Sequence, residues 1–134
     1  MPLVRIDLAD SRPAELRRAI ADGVHDALVA VVGIPEGDRF QLLTAHPADE
    51  LLFDADYLGV RRLDVVYVQI TLVAGRPRRL KVELFRRIAA NLAAVGVRPE
   101  DVHVTLTENT AEDWSVGNGE AQLLTLGPVA GTAD

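Results

Sequence analysis

The sequence predicts an α/β fold in which two β-α-β units follow each other along the chain. Two observations predict it. The order strand, helix, strand occurs twice, at about residues 2–44 and 64–107, and matching residues recur at an offset of 63 or 64 positions. Arg-Pro opens both helices, as Arg12-Pro13 and Arg76-Pro77. Parallel strands within each unit would give a four-stranded mixed sheet with both helices on one face.

The first unit begins at residues 3–8, where apolar and polar residues alternate as in a strand. Apolar residues then recur at helical spacing over residues 16–31, with Ser11 as the expected helix cap. Gly33 is expected to end this helix, because glycine adopts the left-handed conformation that closes many helices. Residues 39–44 predict the second strand.

The second unit repeats this order. Residues 64–72 predict a strand that is apolar on both alternating sets, which indicates burial on both faces and packing against other subunits. Residues 80–95 predict an amphipathic helix that Gly96 ends, and residues 101–107 predict the last strand. Residues 96–100 resemble residues 33–36 with one residue inserted, so the second loop is expected to be one residue longer than the first.

We expect a single domain over residues 1–126. The connection between the units, residues 45–63, is long for a compact domain, and residues 51–53 are expected to form a short extra strand within it. Residues 111–126 predict a C-terminal appendage that reaches a neighbouring subunit. Residues 127–134 predict a flexible tail.

Composition argues against several classes of function. With 14 basic and 20 acidic residues the net charge is -6, which disfavours nucleic acids and anionic membranes as partners but still allows a small carboxylate-bearing substrate. There is no cysteine, so thiolate and disulfide chemistry is excluded. His25, His46 and His103 lack the spacing of a metal site, and His25 is interpreted as structural or solvated. No apolar segment has signal-peptide length, so a cytoplasmic location is expected.

Pro2 is the residue with the most distinctive chemistry. If Met1 is removed, Pro2 carries a free secondary amine, which can act as a base, an acid or a nucleophile towards a carbonyl group. Taken alone, Met-Pro is explained more simply by a second residue that permits removal of Met1. The function of Pro2 therefore depends on the rest of the sequence.

Four blocks of sequence together resemble the tautomerase superfamily: residues 1–8, 34–41, 75–78 and 112–122. They are most similar to the malonate semialdehyde decarboxylases and their relatives, and the blocks Asp-Arg-Phe-Gln and Asp-Trp-Ser are the most specific. The resemblance runs from residue 1 to about residue 124. It implies a tautomerase-like fold of tandem β-α-β units, a homotrimer with sites near subunit boundaries, and catalysis without a metal or organic cofactor.

The resemblance implies three catalytic residues. Pro2 matches the amino-terminal catalytic proline, Asp38 the acidic residue near it, and Arg76 an arginine that binds a substrate carboxylate. An arginine presents a planar fork to a carboxylate and stays charged. Simpler interpretations remain open: Asp38 also suits a turn, and Arg76 also suits a solvated first helical turn, as Arg12 does.

Three further residues are implied to contact the substrate. Arg78 matches a second arginine, Trp114 matches an aromatic pocket wall, and Val116 stands where the decarboxylase pattern has phenylalanine. Trp114 also suits an apolar subunit interface. Loss of a ring at Val116 would enlarge the pocket or change its preference.

The leading functional hypothesis is decarboxylation of a short 3-oxo acid such as malonate semialdehyde. Asp38 near Pro2 would favour the ammonium form of the amine, which can donate a proton to a carbonyl oxygen. The first alternative is an enol–keto tautomerase acting on phenylpyruvate-like substrates, with neutral Pro2 as the proton carrier. The second is a non-catalytic trimeric binding protein of the same fold.

Overall fold

The structure, a computed structural model of the chain, describes residues 1–125. Four strands form one sheet in the order β2-β1-β3-β4: β1 is Pro2–Ala9, β2 Gln41–His46, β3 Val66–Val73 and β4 Val102–Asn109. The pairs β1–β2 and β3–β4 are parallel, and the central pair β1–β3 is antiparallel. The predicted mixed sheet of two β-α-β units is confirmed.

Each unit crosses over through one helix. The first, α1, is Ala14–Ala27 and continues into a π-helical turn at Leu28–Val32, and the second, α2, is Arg78–Ala93. Proline occupies the N-cap position of both α-helices and no side chain caps either one, so the predicted cap at Ser11 is wrong. The chain turns earlier instead, where Arg12 N donates to the carbonyl oxygen of Ala9 at 3.2 Å.

The core lies between the sheet and the two helices. Alternate residues of the central strands, such as Ile6 and Ile70, are at most 2% exposed and pack against buried residues of both helices. Because strand side chains alternate, the other face of the sheet is open in the single chain. On that face β3 presents Tyr67, Gln69 and Thr71, which are half-buried or exposed, so the burial expected on both faces of this strand is absent here.

A local twofold axis between β1 and β3 relates the two units. The register pairs Val4 with Ile70 and Ile6 with Val68, and an offset of 64 converts the first pair into the second. The outer strands correspond at an offset of 63, because Val4 pairs with Gln41 whereas Val68 pairs with Val104. The internal repeat seen in the sequence is therefore a repeat of structure.

The residue that separates the two offsets lies in the first helix. There Gly33 N donates to the carbonyl oxygen of Leu28 at 3.1 Å, five positions back, and such a wide turn accommodates one more residue than an α-helical turn. The loops that follow the helices have equal lengths: Asp38 N bonds the oxygen of Pro35 at 3.0 Å, and Asp101 N bonds that of Arg98 at 2.9 Å. The extra residue expected in the second loop is thus wrong.

The remaining segments contain only short turns. Residues 51–53 form no strand, so that expectation is wrong, and 3-10 turns occur nearby at Ala48–Glu50 and Tyr57–Gly59. The C-terminal appendage contains 3-10 turns at Ala111–Asp113 and Gln122–Leu124. The predicted tail lies outside the described residues. Within residues 1–125, every helix is too short or too polar to cross a membrane.

Candidate active site

The predicted catalytic residues meet at the end of the sheet where β1 begins. Pro2 is the first residue of β1, is buried, and pairs with Leu72 near the end of β3. Leu72 in turn pairs with Glu108 near the end of β4. Because β1 runs antiparallel to β3, the start of β1 lies beside the ends of β3 and β4.

Asp38 lies beside the amino terminus. Its Oδ2 atom is 3.4 Å from the amino nitrogen of Met1, and the two side chains are only 12% and 15% exposed. Its Oδ1 atom is buried and has no hydrogen-bond partner among the described residues. Removal of Met1 would shift the amine by one residue, about 3.8 Å between Cα atoms, to Pro2. A carboxylate at this position favours the protonated form of a nearby amine.

Arg76 is a buried cation in the loop between β3 and α2. Its side chain is 5% exposed, its Nη1 group donates to the carbonyl oxygen of Val73, and its Nε atom has no partner within residues 1–125. Burial lowers the pKa of Arg76 from its ordinary value, whereas the charges of Glu108 and Asp38 act in the opposite direction. An arginine stays protonated through such a shift, so this end of the sheet offers a charged donor to an anion.

Trp114 is linked to the same corner through β4. Its Nε1 group donates to Asn109 Oδ1 at 2.6 Å, and Asn109 pairs with Val73, whose carbonyl oxygen binds Arg76. The indole is half-buried. Trp114, the predicted pocket wall, is thus connected through Asn109 to Val73, which binds Arg76.

Arg78 and Val116 are not joined to this cluster in the single chain. Arg78 is the exposed first residue of α2, and Val116 is 40% exposed. Gln122 Oε1 accepts a hydrogen bond of 3.0 Å from Val116 N. Between residues 1 and 125, no hydrogen bond or ion pair connects either side chain with Asp38 or Arg76.

The segment that carries Trp114 starts at a reciprocal cap. Asp113 Oδ2 accepts hydrogen bonds from Thr110 N at 2.8 Å and from Thr110 Oγ1 at 2.9 Å. The bond from the backbone N–H is the main reason that the pKa of Asp113 lies below its ordinary value. This cap fixes the direction in which the chain leaves β4 towards Trp114.

Sequence reasoning missed an acidic residue whose charge acts on Arg76. Glu108 forms an ion pair with Lys81 of α2. In the sheet, Glu108 pairs with Leu72 of β3. The only available signal was its place as a charged residue near the end of the last strand. Glu108 lies in line with Pro2 because both residues pair with Leu72, and the sequence alone does not fix this strand pairing.

Away from this corner, a cavity of about 290 Å³ lies on the open face of the sheet. Its lining includes Asp7, His46 and Tyr67. His46 Nε2 lies 2.6 Å from Asp7 Oδ1, and such a pair can activate a nucleophile. The Tyr67 hydroxyl, however, donates to the carbonyl oxygen of Leu52 at 2.6 Å. At the amino-terminal corner, the buried Asp38 Oδ1 has no partner within residues 1–125 and its carboxylate lies beside the amino terminus, which makes this corner the better candidate.

Comparison with known proteins decides the family. Two family models, both described as tautomerase enzyme, match residues 2–61 and residues 38–117. The probable tautomerase YusQ of Bacillus subtilis (strain 168) is 36% identical over 126 residues, which cover 92% of this chain and 99% of the relative. The chain belongs to the tautomerase family.

Solved structures agree with this tautomerase assignment. The FG41 malonate semialdehyde decarboxylase inhibited by 3-bromopropiolate is 47% identical, with a TM-score of 0.88 over 92% of this chain and 95% of that one. A fused 4-OT symmetric trimer has the same fold at 24% identity, with a TM-score of 0.76 over 91% and 98% of the two chains. The tautomerase-like fold inferred from the sequence is therefore confirmed.

Proposed function

We propose that this tautomerase-family chain is a cofactor-independent decarboxylase of a short 3-oxo acid such as malonate semialdehyde, with the Pro2 amine as the acid. The observation that carries the proposal is the corner where Asp38 lies 3.4 Å from the amino nitrogen of Met1, one residue before Pro2, and where the Nε atom of the buried Arg76 has no partner among the described residues. After removal of Met1, the corner would combine an acid, the Pro2 amine, with a cation that can bind a carboxylate. The 47% identity with a malonate semialdehyde decarboxylase supports the same substrate class.

In the proposed reaction, Arg76 binds the substrate carboxylate and Arg78 assists from the first turn of α2. The carboxylate is held out of the plane of the C3 carbonyl group, so that the C1–C2 bond overlaps with the π system. As that bond breaks, its electron pair forms the C2–C3 double bond and the carbonyl oxygen takes a proton from the Pro2 ammonium. Carbon dioxide leaves, C2 then takes a proton from solvent, and the enol oxygen returns its proton to Pro2, which gives acetaldehyde.

Three other residues set the conditions for this step. Asp38 favours the ammonium form of Pro2 by charge attraction. Trp114 and Val116 supply apolar surface, in which hydrogen bonds to the developing negative charge are stronger than in water. Valine is smaller than the phenylalanine of the decarboxylase pattern, so Val116 leaves room for a substrate that is larger than malonate semialdehyde.

The second candidate is an enol–keto tautomerase acting on phenylpyruvate-like substrates. The 36% identity with a probable tautomerase favours it. This reaction needs neutral Pro2 to abstract a proton, and the nearness of Asp38 opposes that form. A non-catalytic binding protein is the third possibility, and it would require none of the proton chemistry.

We also propose a homotrimer. The fused 4-OT neighbour is a trimer, and in the single chain the open sheet face adjoins a connection in which Leu52 and Leu58 are 82% and 81% exposed. Apolar side chains so exposed are typical of surfaces that other subunits cover.

The test is a proton NMR time course with malonate semialdehyde, on protein whose loss of Met1 and assembly mass are first established by mass spectrometry. We expect acetaldehyde to form about 10²- to 10⁴-fold faster than with Pro2→Ala, the usual contribution of a positioned acid. Equal rates for the two proteins would contradict the decarboxylase. A parallel assay of phenylpyruvate enol ketonisation would then distinguish a tautomerase from a binding protein.

A further inference from the structure

We infer that His25 is a positioning residue for Asp38 and, through Asp38, for the charge of the amino terminus. The inference rests on the proposed function, in which that amine is the acid. His25 lies near the end of α1 and is 5% exposed. Its Nε2 group donates to the carbonyl oxygen of Glu36 at 2.8 Å, because a carbonyl oxygen can only accept.

This hydrogen bond holds the turn that carries Asp38. Glu36 lies inside the turn, which closes where Asp38 N donates to the oxygen of Pro35 at 3.0 Å. A fixed Glu36 carbonyl group therefore restricts the backbone on both sides of it. His25 itself lies on a helix whose neighbouring residues are buried in the core, so its ring is a rigid anchor.

The far side of the turn is held where β2 begins, because Val4 N donates to the carbonyl oxygen of Phe40 at 3.0 Å. Arg39 Nη2 lies 2.6 Å from Asp22 Oδ1, and Gln41 Nε2 donates to the carbonyl oxygen of Ala21 at 2.9 Å. The Arg39–Asp22 pair is 30% and 48% exposed, and ion pairs so exposed contribute little to rigidity. Among the described residues, the His25 hydrogen bond is the side-chain bond that holds the turn on the amino-terminal side of Asp38.

The second unit indicates that a β-α-β unit of this kind folds without such a histidine. At the offset of 64, the position that matches His25 is Ala89. The matching turn is held by its own carboxylate, since Asp101 Oδ1 accepts hydrogen bonds from Leu63 N at 2.8 Å and Asp64 N at 3.1 Å. The role of His25 therefore belongs to the corner that contains the amine.

Charged groups at this corner come from three elements. Asp38 comes from the turn and lies 3.4 Å from the amino nitrogen of Met1. Arg76 comes from the loop before α2, and Glu108, which is paired with Lys81, comes from β4; the charges of Asp38 and Glu108 both act on Arg76. Only Asp38 lies in the turn that His25 holds. Loss of the His25 hydrogen bond should therefore weaken the charge attraction on the amine while it leaves the carboxylate-binding Arg76 in place.

The test measures the amine directly, so that it does not depend on turnover. Protein that is labelled with ¹⁵N-proline and lacks Met1 is titrated with acid and base. The NMR resonance of the Pro2 nitrogen then gives the pH at the midpoint of the amine titration. The variants are His25→Phe, which removes the donor, and His25→Gln, whose amide nitrogen can replace Nε2. The matched control is Asn91→Leu, which removes a hydrogen bond of 2.9 Å to the carbonyl oxygen of Gly23, also on α1 but away from the turn.

We expect His25→Phe to lower the midpoint by about half a unit or more, because a nearby opposite charge shifts such a midpoint by about 1 to 3 units and part of that is lost. His25→Gln should restore the midpoint, and Asn91→Leu should leave it unchanged. If His25→Phe does not fold, His25→Asn, whose amide is too short to reach Glu36, must show the same decrease. If a folded variant that lacks the donor at position 25 titrates with the same midpoint as the unsubstituted protein, the inference is wrong.

Kinetics separate this inference from the proposed function. If the protein decarboxylates malonate semialdehyde, His25→Phe should reduce kcat and leave KM nearly unchanged, since Arg76 still binds the carboxylate. If it does not, the proposed function fails, but the titration still decides the role of His25. A shift in KM alone would count against positioning of the acid.

Discussion

The two β-α-β units share one fold but differ at the corner where the first strand of each unit begins. Asp38 and Asp101 occupy equivalent positions, 63 residues apart, in matching turns. Asp101 is 2% exposed and accepts hydrogen bonds from two backbone N–H groups of the continuous chain. Asp38 Oδ2 lies 3.4 Å from the amino nitrogen of Met1, and its Oδ1 has no partner within residues 1–125. The equivalent aspartates thus differ: Asp101 binds the backbone, whereas Asp38 lies beside the amine that we propose as the acid.

The arginines that open the two helices repeat this difference. Arg12 Nη2 donates to the carbonyl oxygen of Asp64 at 2.8 Å and lies 3.1 Å from its carboxylate. Arg76, its symmetry mate, binds only the backbone of Val73 among its described hydrogen bonds. The second corner therefore contains its own carboxylate, and a substrate carboxylate bound by Arg76 would take the equivalent place in the first.

Among variants that compare the two units, replacement of each arginine by alanine should show the largest difference. Arg76→Ala should lower kcat/KM by about 10²- to 10³-fold, because it removes a preorganised charged donor. Arg12→Ala should change kcat/KM by less than about threefold and lower the free energy of unfolding by about 1 to 2 kcal/mol, since Asp64 loses a partly buried partner. Steady-state kinetics and urea unfolding measure both. Equal losses of activity in the two variants would remove the functional distinction between the corners.

The aspartates should separate in the same way with smaller effects. Asp38→Asn should lower kcat by about tenfold, because the amine loses an opposite charge, and leave the free energy of unfolding nearly unchanged. Asp101→Asn should lower the free energy of unfolding by about 1.5 to 3 kcal/mol, because it weakens hydrogen bonds to a buried charge. Stability that falls as far in Asp38→Asn as in Asp101→Asn would mean that both carboxylates are structural.

The smallest expected effect concerns Asp22, whose counterpart in the second unit is Arg86. The hydrogen bond from Arg39 lowers the pKa of Asp22, so the ionised form stabilises the folded state. This contribution is present above the ordinary aspartate value of about 3.9 and is lost as the pH falls through the lowered pKa. Asp22→Asn should reduce the free energy of unfolding by less than about 1 kcal/mol at pH 7, with no difference at strongly acidic pH.

Thermal unfolding between pH 7 and pH 2.5, roughly the range that brackets the aspartate titration, measures this difference. Asp26→Asn is the matched control on the same helix, since Asp26 forms no ion pair within residues 1–125. A pH dependence of equal size in the two variants would mean that the Arg39 contact contributes nothing specific to the stability of the first unit.

Alternation and helical spacing were sufficient to predict the four strands, the two helices and their order. They failed at residues 51–53, where three apolar residues suggest a strand but no neighbouring strand pairs with them. They also failed at Ser11, because the turn that ends β1 already includes Ser11 and the helix starts after Pro13. Boundaries and caps depend on such tertiary contacts, which spacing does not contain.

The candidate site was only partly accessible from the sequence. Pro2 was singled out by the chemistry of a free secondary amine, whereas its catalytic role and those of Asp38 and Arg76 came from a resemblance; the strand register places Pro2 at the end of the sheet where the other two lie. The hydrogen bond of His25 to Glu36 joins residues 11 positions apart through a backbone atom, which leaves no pattern in side-chain types. Glu108 is near Arg76 only because β4 is an edge strand beside β3.

The π-helical turn at Leu28–Val32 limits how far the two halves are interchangeable. A protein engineer who replaced residues 14–32, which precede Gly33, with the sequence of residues 78–95, which precede Gly96, would shorten the crossover by one residue. In an ordinary helix one residue corresponds to a rotation of about 100°, so the following turn would leave the helix in a different direction. Asp38 would then no longer face the amine. The two halves share an architecture, but their helices cannot be exchanged. The position of Asp38 relative to the amine depends on a single additional residue in the first half.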